Sequence, residues 1–476
     1  MKQKLQKEIE EAQSLGRRAR RQKERQLQKE YKDSKIRIKS GKQFAKTDGI
    51  SREMRRLLKS DKNLIRTVME IIHKYLPDFI PMINKLNDKR HKSYCKYNMR
   101  AIVMTRLFAL ICGITSMNDM TNQFNTKEAI KNLSSICGQE LKEVPHWQTI
   151  QDVIEDLDIN EIQDIRKTLV NGLIRSKMFD KYRYNGCIQV IVDATGVSNH
   201  DYNLNGTCIA RTRDGQTKYF KYVLEAKIVF GSIVISLESE WVENTKLNNE
   251  NEKQDCEVNA FKRMAPRIRK TFPKLKFIIT GDALYATAPM IEICEEYGWY
   301  YIFNLKKNRL KNVYEEFIDN VNYHNETSKE NYTLSTGIIH KGHSVNAFSY
   351  VEKTEKKITA FSYISNLDVT DCNIVEIVKM GRARWKIENE GFNVQKNGTF
   401  CISHLCSRNE NALKIHYLFI QIAHLIRQLL ELGSIVVKSM RFETKKEISK
   451  NLTKTLTSII SNLDMLDLSF QLRFDN

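Results

Sequence analysis

Cys187-Ile-Gln-Val-Ile-Val-Asp193 is the stretch on which the reading of this chain turns. Four of its residues are β-branched and apolar, and neither Gly nor Pro interrupts them. Such a run predicts a strand buried on both faces and closed by an acid. Downstream, Tyr219 to Phe230 and Ser232 to Val242 predict two more strands, joined at Gly231 as a hairpin. A charged helical segment at about 251–270 ends at Phe272-Pro273. Phe277-Ile-Ile-Thr-Gly-Asp282 then repeats the pattern of a buried strand closed by an acid. A helix near Pro289 to Tyr297 and a strand from Trp299 to Leu305 follow. Residues 331–366 are rich in Thr, Tyr, Val, Phe and Ser and predict further strands. Helices resume near Asn373 and cover 382–396 and 410–432.

Without the 331–366 stretch the order is β-β-β-α-β-α-β-α, which is that of a ribonuclease H-like mixed sheet flanked by helices. The expected class is therefore α/β, with a β-strand insertion and an N-terminal helical domain. Residues 61–180 read as helical, with Ile65-Val68-Met69-Ile72 and Leu107-Leu110-Ile111-Ile114 at helical spacing. Residues 1–60 carry 20 Lys and Arg against 8 Asp and Glu, and predict a basic helical arm. The expected division is 1–60 as the arm, 61–182 as a helical, DNA-binding domain, 183–435 as the catalytic domain with its insertion at about 325–368, and 436–476 as a helical tail.

The whole chain has 77 Lys and Arg against 57 Asp and Glu, a formal charge of +20, which favours a polyanionic partner. The ten cysteines contain no C-x-x-C pair, and Cys401, His404 and Cys406 lack a second ligand cluster to complete a zinc site. The N-terminus has no apolar signal core, and the most apolar stretch, Ile102 to Met117, contains Arg106 and is too short to span a bilayer. These features predict a soluble intracellular protein with no membrane partner.

An acid at the end of a buried strand is often only a polar cap. Asp193 and Asp282 on neighbouring strands are different, because adjacent carboxylates repel unless a cation or a proton lies between them. Hard oxygen donors of this kind suit Mg²⁺ or Mn²⁺. The third acid is sought in Arg382-Ala-Arg-Trp-Lys-Ile-Glu-Asn-Glu-Gly-Phe-Asn-Val-Gln-Lys396, where Glu388 and Glu390 compete. At about 100° per residue, Trp385, Glu388 and Phe392 share a helical face and Glu390 points elsewhere, so Glu388 is the expected ligand. Arg384 stacks four residues before it and can pair with Glu388 or with a phosphate.

These pieces together resemble the DDE transposases of bacterial insertion sequences, particularly the insertion-sequence-4-like group with a β-rich insertion before the Glu. The resemblance rests on Asp193-Ala-Thr-Gly, Gly281-Asp-Ala-Leu-Tyr-Ala, Tyr301-Ile-Phe-Asn-Leu-Lys306, Arg384-Trp-Lys-Ile-Glu388 and the helix Ile415 to Leu429 with Gln421-Ile-Ala-His424. It covers about residues 90–432. The family's third motif runs Tyr, two residues, Arg, three, Glu, six, Lys. Arg384 and Glu388 fit it, whereas Gly381 stands where Tyr belongs and Gln395 where Lys belongs, with Lys396 one place late. One residue inserted at Asn389-Glu390-Gly391 accounts for the late Lys if the helix absorbs it as a π-bulge.

The resemblance implies metal-dependent hydrolysis at transposon ends followed by strand transfer into target DNA. Asp193, Asp282 and Glu388 would be both the catalytic residues and the ligands of two ions, Mg²⁺ or Mn²⁺, about 3.5–4 Å apart. Arg384 and Lys396 would hold backbone phosphate, Tyr285 would either stack on an unpaired base or, as an aromatic beside a sheet, pack in the core, and Lys306, Lys307 and Arg309 would offer DNA a basic track. The implied partners are transposon-end and target double-stranded DNA, with a homodimer forming on DNA. The implied setting is the bacterial cytoplasm, in association with the nucleoid. Two other readings use the same residues: a ribonuclease H-like nuclease without strand transfer, and a domesticated DNA-binding protein without catalysis. A phosphoaspartate nucleophile at Asp193 lacks the Lys and Asp-Asp signature that should accompany it.

Overall fold

The computed structural model describes residues 63–244, 254–327, 329–354, 357–404, 406–433 and 444–474. The expected basic arm at 1–60 lies outside them. Asn63 to Asn476 form one compact unit. Its first part is helical: α1 (Leu64–Tyr75), α2 (Phe79–Asn84), α3 (Met99–Cys112), α4 (Met117–Phe124), α5 (Lys127–Cys137), α6 (Trp147–Asp156) and α7 (Ile159–Arg175). Asn63, Asn98, Ser116, Thr126 and Asp158 each precede a helix and accept a hydrogen bond from its first turn. Such side chains satisfy amide groups that the helix leaves unpaired, and so fix where these elements start. Among the described residues no single helix is long and apolar enough to cross a membrane.

The sheet has ten strands: β1 (Ile188–His200), β2 (Ile209–Arg213), β3 (Gln216–Phe230), β4 (Ile233–Val242), β5 (Phe277–Gly281), β6 (Tyr300–Asn304), β7 (Tyr323–Glu326), β8 (Glu330–His340), β9 (His343–Lys353) and β10 (Ile358–Ser365). Their order is β2-β3-β1-β5-β6-β10-β9-β8-β7, with β4 also paired to β3. The pairs β1/β5 and β5/β6 are parallel and the others antiparallel. Helices α8 (Glu257–Thr271), α9 (Ala288–Glu296) and α10 (Lys311–Asp319) connect the strands, followed by α11 (Ile374–Arg382), α12 (Glu410–Leu432) and α13 (Lys445–Ser458). This is the mixed, helix-flanked sheet that the element order predicts. α12 is buried along almost its whole length, and one continuous core joins it to the helical part and the sheet.

The structure differs from the sequence reading in three respects. The first strand does not stop at Asp193; it runs on to His200, because Thr195, Val197 and Ser198 keep an outer half that can still be buried against β3. Asp193 lies just past the last parallel pair with β5, Ile191 with Thr280, and is paired across to Glu225. Short β2 was not foreseen, since only one of its five residues is buried. Among the described residues of the tail only α13 is helical, and there Thr444 and Glu447 form a capping box. The 331–366 stretch is an antiparallel meander, as its alternation predicts, and β10 pairs directly with β6, so the meander widens the same sheet.

Candidate active site

Asp193, just past the parallel-paired part of β1, lies on the same side of the sheet as Asp282 after β5 and Lys306, Lys307 and Arg309 after β6, the side of an α/β sheet where ligands bind. Asp193 has a side chain 21% exposed. One of its oxygens accepts the amide of Ala194 at 2.9 Å, and the other faces Nη1 of Arg384 at 3.4 Å. Burial pushes its carboxyl up to about 7; Arg384 draws it down, and Glu257 and Glu388 push it up. Asp282 follows β5 directly and accepts the amide of Leu284 at 2.7 Å. Gly281 before it is required by space: a Cβ there would meet the Tyr285 ring at 2.8 Å.

Glu388 sits in a π-helical segment, Ile387–Asn393, which continues into the helical turn Val394–Asn397. The extra residue that the motif spacing predicts is thus taken up by a π-helix. Arg384 Nη1 donates to Glu388 Oε1 at 3.1 Å, so a single guanidinium stands between Asp193 and Glu388. The face argument used to choose Glu388 does not hold, because a π-helix advances less than 100° per residue. Trp385, expected to face inward, is 51% exposed, and the inward residues are Ile387, Gly391, Phe392 and Gln395. Nor is Glu390 turned to solvent: its Oε2 is buried without a hydrogen-bond partner. What distinguishes Glu388 is its link through Arg384 to Asp193.

The same segment sorts Gln395 from Lys396. Gln395 is fully buried, bonded to Gln421 at 2.8 Å and His424 at 3.0 Å. Lys396 is the one within electrostatic reach of an acid: burial lowers its ammonium and Asp193 raises it again. Lys306, Lys307 and Arg309 are exposed beyond β6. Of the two places expected for Tyr285 the structure gives the core: it is fully buried and cannot stack on a base. Its hydroxyl donates to Glu257 Oε2 at 2.7 Å.

Glu257 is the site residue that sequence reasoning missed. It opens α8, its carboxyl is raised by burial, and Asp282 raises it further while Tyr285 lowers it. Its only sequence signal was its place as an acid at the start of a helix following the strands, which any first turn would favour.

Among the described residues no group of three or more His, Cys, Asp or Glu side chains converges to hold a metal ion. The donor set nevertheless fits a hard divalent cation. It is made of oxygen, Asp193 is desolvated, and the cation between Asp193 and Glu388 is a guanidinium that either acid could exchange for an ion. A consequence for stability follows. Because the folded protein holds the Asp193 proton up to about pH 7, against an ordinary 3.8, this group favours folding fully below about pH 4 and loses that contribution as pH rises through 7. In EDTA at about pH 8, Asp193→Asn should therefore melt higher than wild type, and the gap should close at about pH 4. A variant that melts lower than wild type at about pH 8 would contradict this electrostatic picture.

A family model described as "Transposase DDE domain" matches residues 188–426, and one described as "DDE_Tnp_1-associated" matches residues 80–169. No curated protein matches the chain. Among solved structures, the cryo-EM structure of the piggyBac transposase synaptic complex with hairpin DNA aligns with a TM-score of 0.40 and 11% identity, covering 85% of this chain and 82% of that chain.

Proposed function

The chain belongs to the DDE transposase family, and from that premise we propose that Asp193, Asp282 and Glu388 are its three catalytic acids. It is a DNA transposase, an enzyme of a family that uses divalent metal ions. The observation that supports the assignment of residues is that Asp193 and Glu388, 195 positions apart in the chain, meet at one guanidinium beside the end of β5. Two ions, a homodimer on DNA, membership of the insertion-sequence-4-like group, the division at 182/183 and a bacterial cytoplasmic, nucleoid-associated setting belong to the same proposal.

Asp193, Asp282 and Glu388 would hold the ions, and bound Mg²⁺ or Mn²⁺ supplies Lewis acidity to the attacking and leaving oxygens of the phosphodiester. Arg384, once released from the acids, has a planar fork of donors matched to a phosphate. Lys396 adds a second cation from the same helical segment, on the Asp193 side. Lys306, Lys307 and Arg309 lie beyond β6, where an exposed basic run can follow a DNA strand without reading bases. Glu257 and Tyr285 hold each other behind Asp282, which fixes the turn that carries it.

Glu388→Gln should abolish cleavage of the DNA that flanks the coding sequence, and Glu390→Gln should reduce it less than about tenfold, or about 1.4 kcal/mol. Mg²⁺ or Mn²⁺ should support cutting, and Ca²⁺ should support binding alone. Cleavage that survives EDTA, or a Glu390 variant as inactive as the Glu388 variant, would defeat the assignment.

A further inference from the structure

The β2–β3 hairpin plays no part in the site described above, and its charges are arranged at a cost to the folded protein. Arg211 on β2 is directly opposite Lys218 on β3. Two residues along from Arg211, Arg213 comes to the same face of the ribbon. Like charges placed directly opposite one another destabilise a β-ladder. Every residue from Arg211 to Lys218 is exposed, and these eight contain three cations and one carboxylate, Asp214. The ion pairs present are weak: Arg213 with Asp214 at 3.6 Å, both over 90% exposed, and Lys218 with Asp201 at 3.6 Å, also at the surface. Arg211 has no ion pair with a described carboxylate. Its guanidinium lies over the rings of Tyr222, at 4.7 Å, and Phe220, at 5.8 Å.

The ribbon that presents these charges is stiff. Arg213 pairs with Gln216 around a two-residue turn, and both turn residues, Asp214 and Gly215, take positive φ, as the mirror-image turns of tight hairpins need. Thr212 and Thr217 share a hydroxyl contact at 2.8 Å across it. The ribbon is also attached to the site. β3 runs without a break from Lys218 through Tyr222 to Glu225, the residue paired with Asp193. Glu225 lies seven positions along from Lys218, roughly 23 Å of strand. Arg211 lies within electrostatic reach of Glu257.

The geometry points to the β2–β3 hairpin as a rigid arm that grips the sugar-phosphate backbone of duplex DNA, through Arg211, Lys218 and Arg213, beside the site that cuts it. A polyanion relieves the Arg211–Lys218 repulsion, which the weak, exposed contact of Lys218 with Asp201 leaves largely in place. Phosphate contacts carry no sequence information, so the arm holds the duplex in place and does not select it. The inference rests on the reading of the chain as a transposase, and it places the DNA on a surface outside the three acids.

The test uses Arg211→Gln with Lys218→Gln in the full chain. Binding to a duplex of the flanking DNA is measured in Ca²⁺ over a range of salt, and each lost phosphate contact should flatten the slope of log affinity against log salt by about 0.9. The expected result is a slope flatter by roughly 1.8 for the two contacts, with a melting temperature without DNA equal to or above that of wild type. A slope equal to wild type, or a fall in melting temperature, would overturn the arm. The reading beneath it fails separately: an Asp282→Asn variant that still cuts in Mg²⁺ refutes the catalytic assignment and leaves the slope measurement intact. Wild type that does not bind the duplex at all would sink both.

Discussion

Asp193→Asn is expected to lower strand cleavage by at least about a thousandfold, roughly 4 kcal/mol of transition-state stabilisation, while the protein still binds DNA. Asn retains the shape and the Ala194 hydrogen bond but loses the charge that a divalent ion and Arg384 both require. Asp282→Asn and Glu388→Gln should fall to the same floor, because residues that act on one transition state do not have additive effects. Any two of the three combined should therefore be no worse than one. The readout is single-turnover cleavage of the flanking DNA, together with binding in Ca²⁺. An Asp193→Asn protein within tenfold of wild type would mean that the buried acid is structural.

The second large effect concerns stability. Lys227 is fully buried, with Nζ 3.1 Å from Glu225 and donating to Gln421 at 2.7 Å. Its stem lies close under Gly391 and its ammonium under Phe392, so it supports the π-helical segment that carries Glu388. Glu225 also accepts from Tyr417 and Ser239, and Gln421 passes the network on to Gln395 and His424. Lys227→Met would keep the volume and strand Glu225 as an uncompensated charge, which costs about 3–5 kcal/mol. Glu225→Gln combined with Lys227→Met should recover most of that loss, because the pair together is worth far less than either half alone. Chemical denaturation of the three variants measures it. A single variant within about 1 kcal/mol of wild type would show the charge network to be dispensable.

This network also explains which parts of the molecule could be read from sequence. β1 and β5 were legible because a strand buried on both faces leaves an unbroken β-branched run, and β3 and β4 because Gly231 separates two stretches rich in aromatic and β-branched residues. Asp282 was visible as the residue after β5. The end of β1 was not legible, since its outer half is buried by pairing with β3 and not by its own composition. Glu225 and Lys227 looked like the polar positions of a half-exposed strand. They are buried because Tyr417 and Gln421, distant in sequence, supply hydrogen-bond partners.

The site shows the same division. The spacing around Glu388 called for one extra residue, and the π-helix accommodates it, yet an argument from ordinary helical geometry misplaced both Trp385 and Glu390. The partner of the Tyr285 hydroxyl could not be read from its motif, because Glu257 reaches it only when the fold brings the start of α8 to the turn after β5. Local pattern picked out Asp193 and Asp282, whereas every contact between distant segments had to come from the fold.

The central claim is that this protein cuts DNA at the three acids and joins the freed end to new DNA. The most direct measurement is to incubate it with a duplex of its own flanking DNA and a target plasmid in Mg²⁺, and to sequence the product ends. The expected products are a 3′-hydroxyl at the element boundary and that same 3′ end joined to plasmid DNA, both absent with Glu388→Gln. Cutting without joined product would make the protein a nuclease, and products that persist with Glu388→Gln would contradict the account.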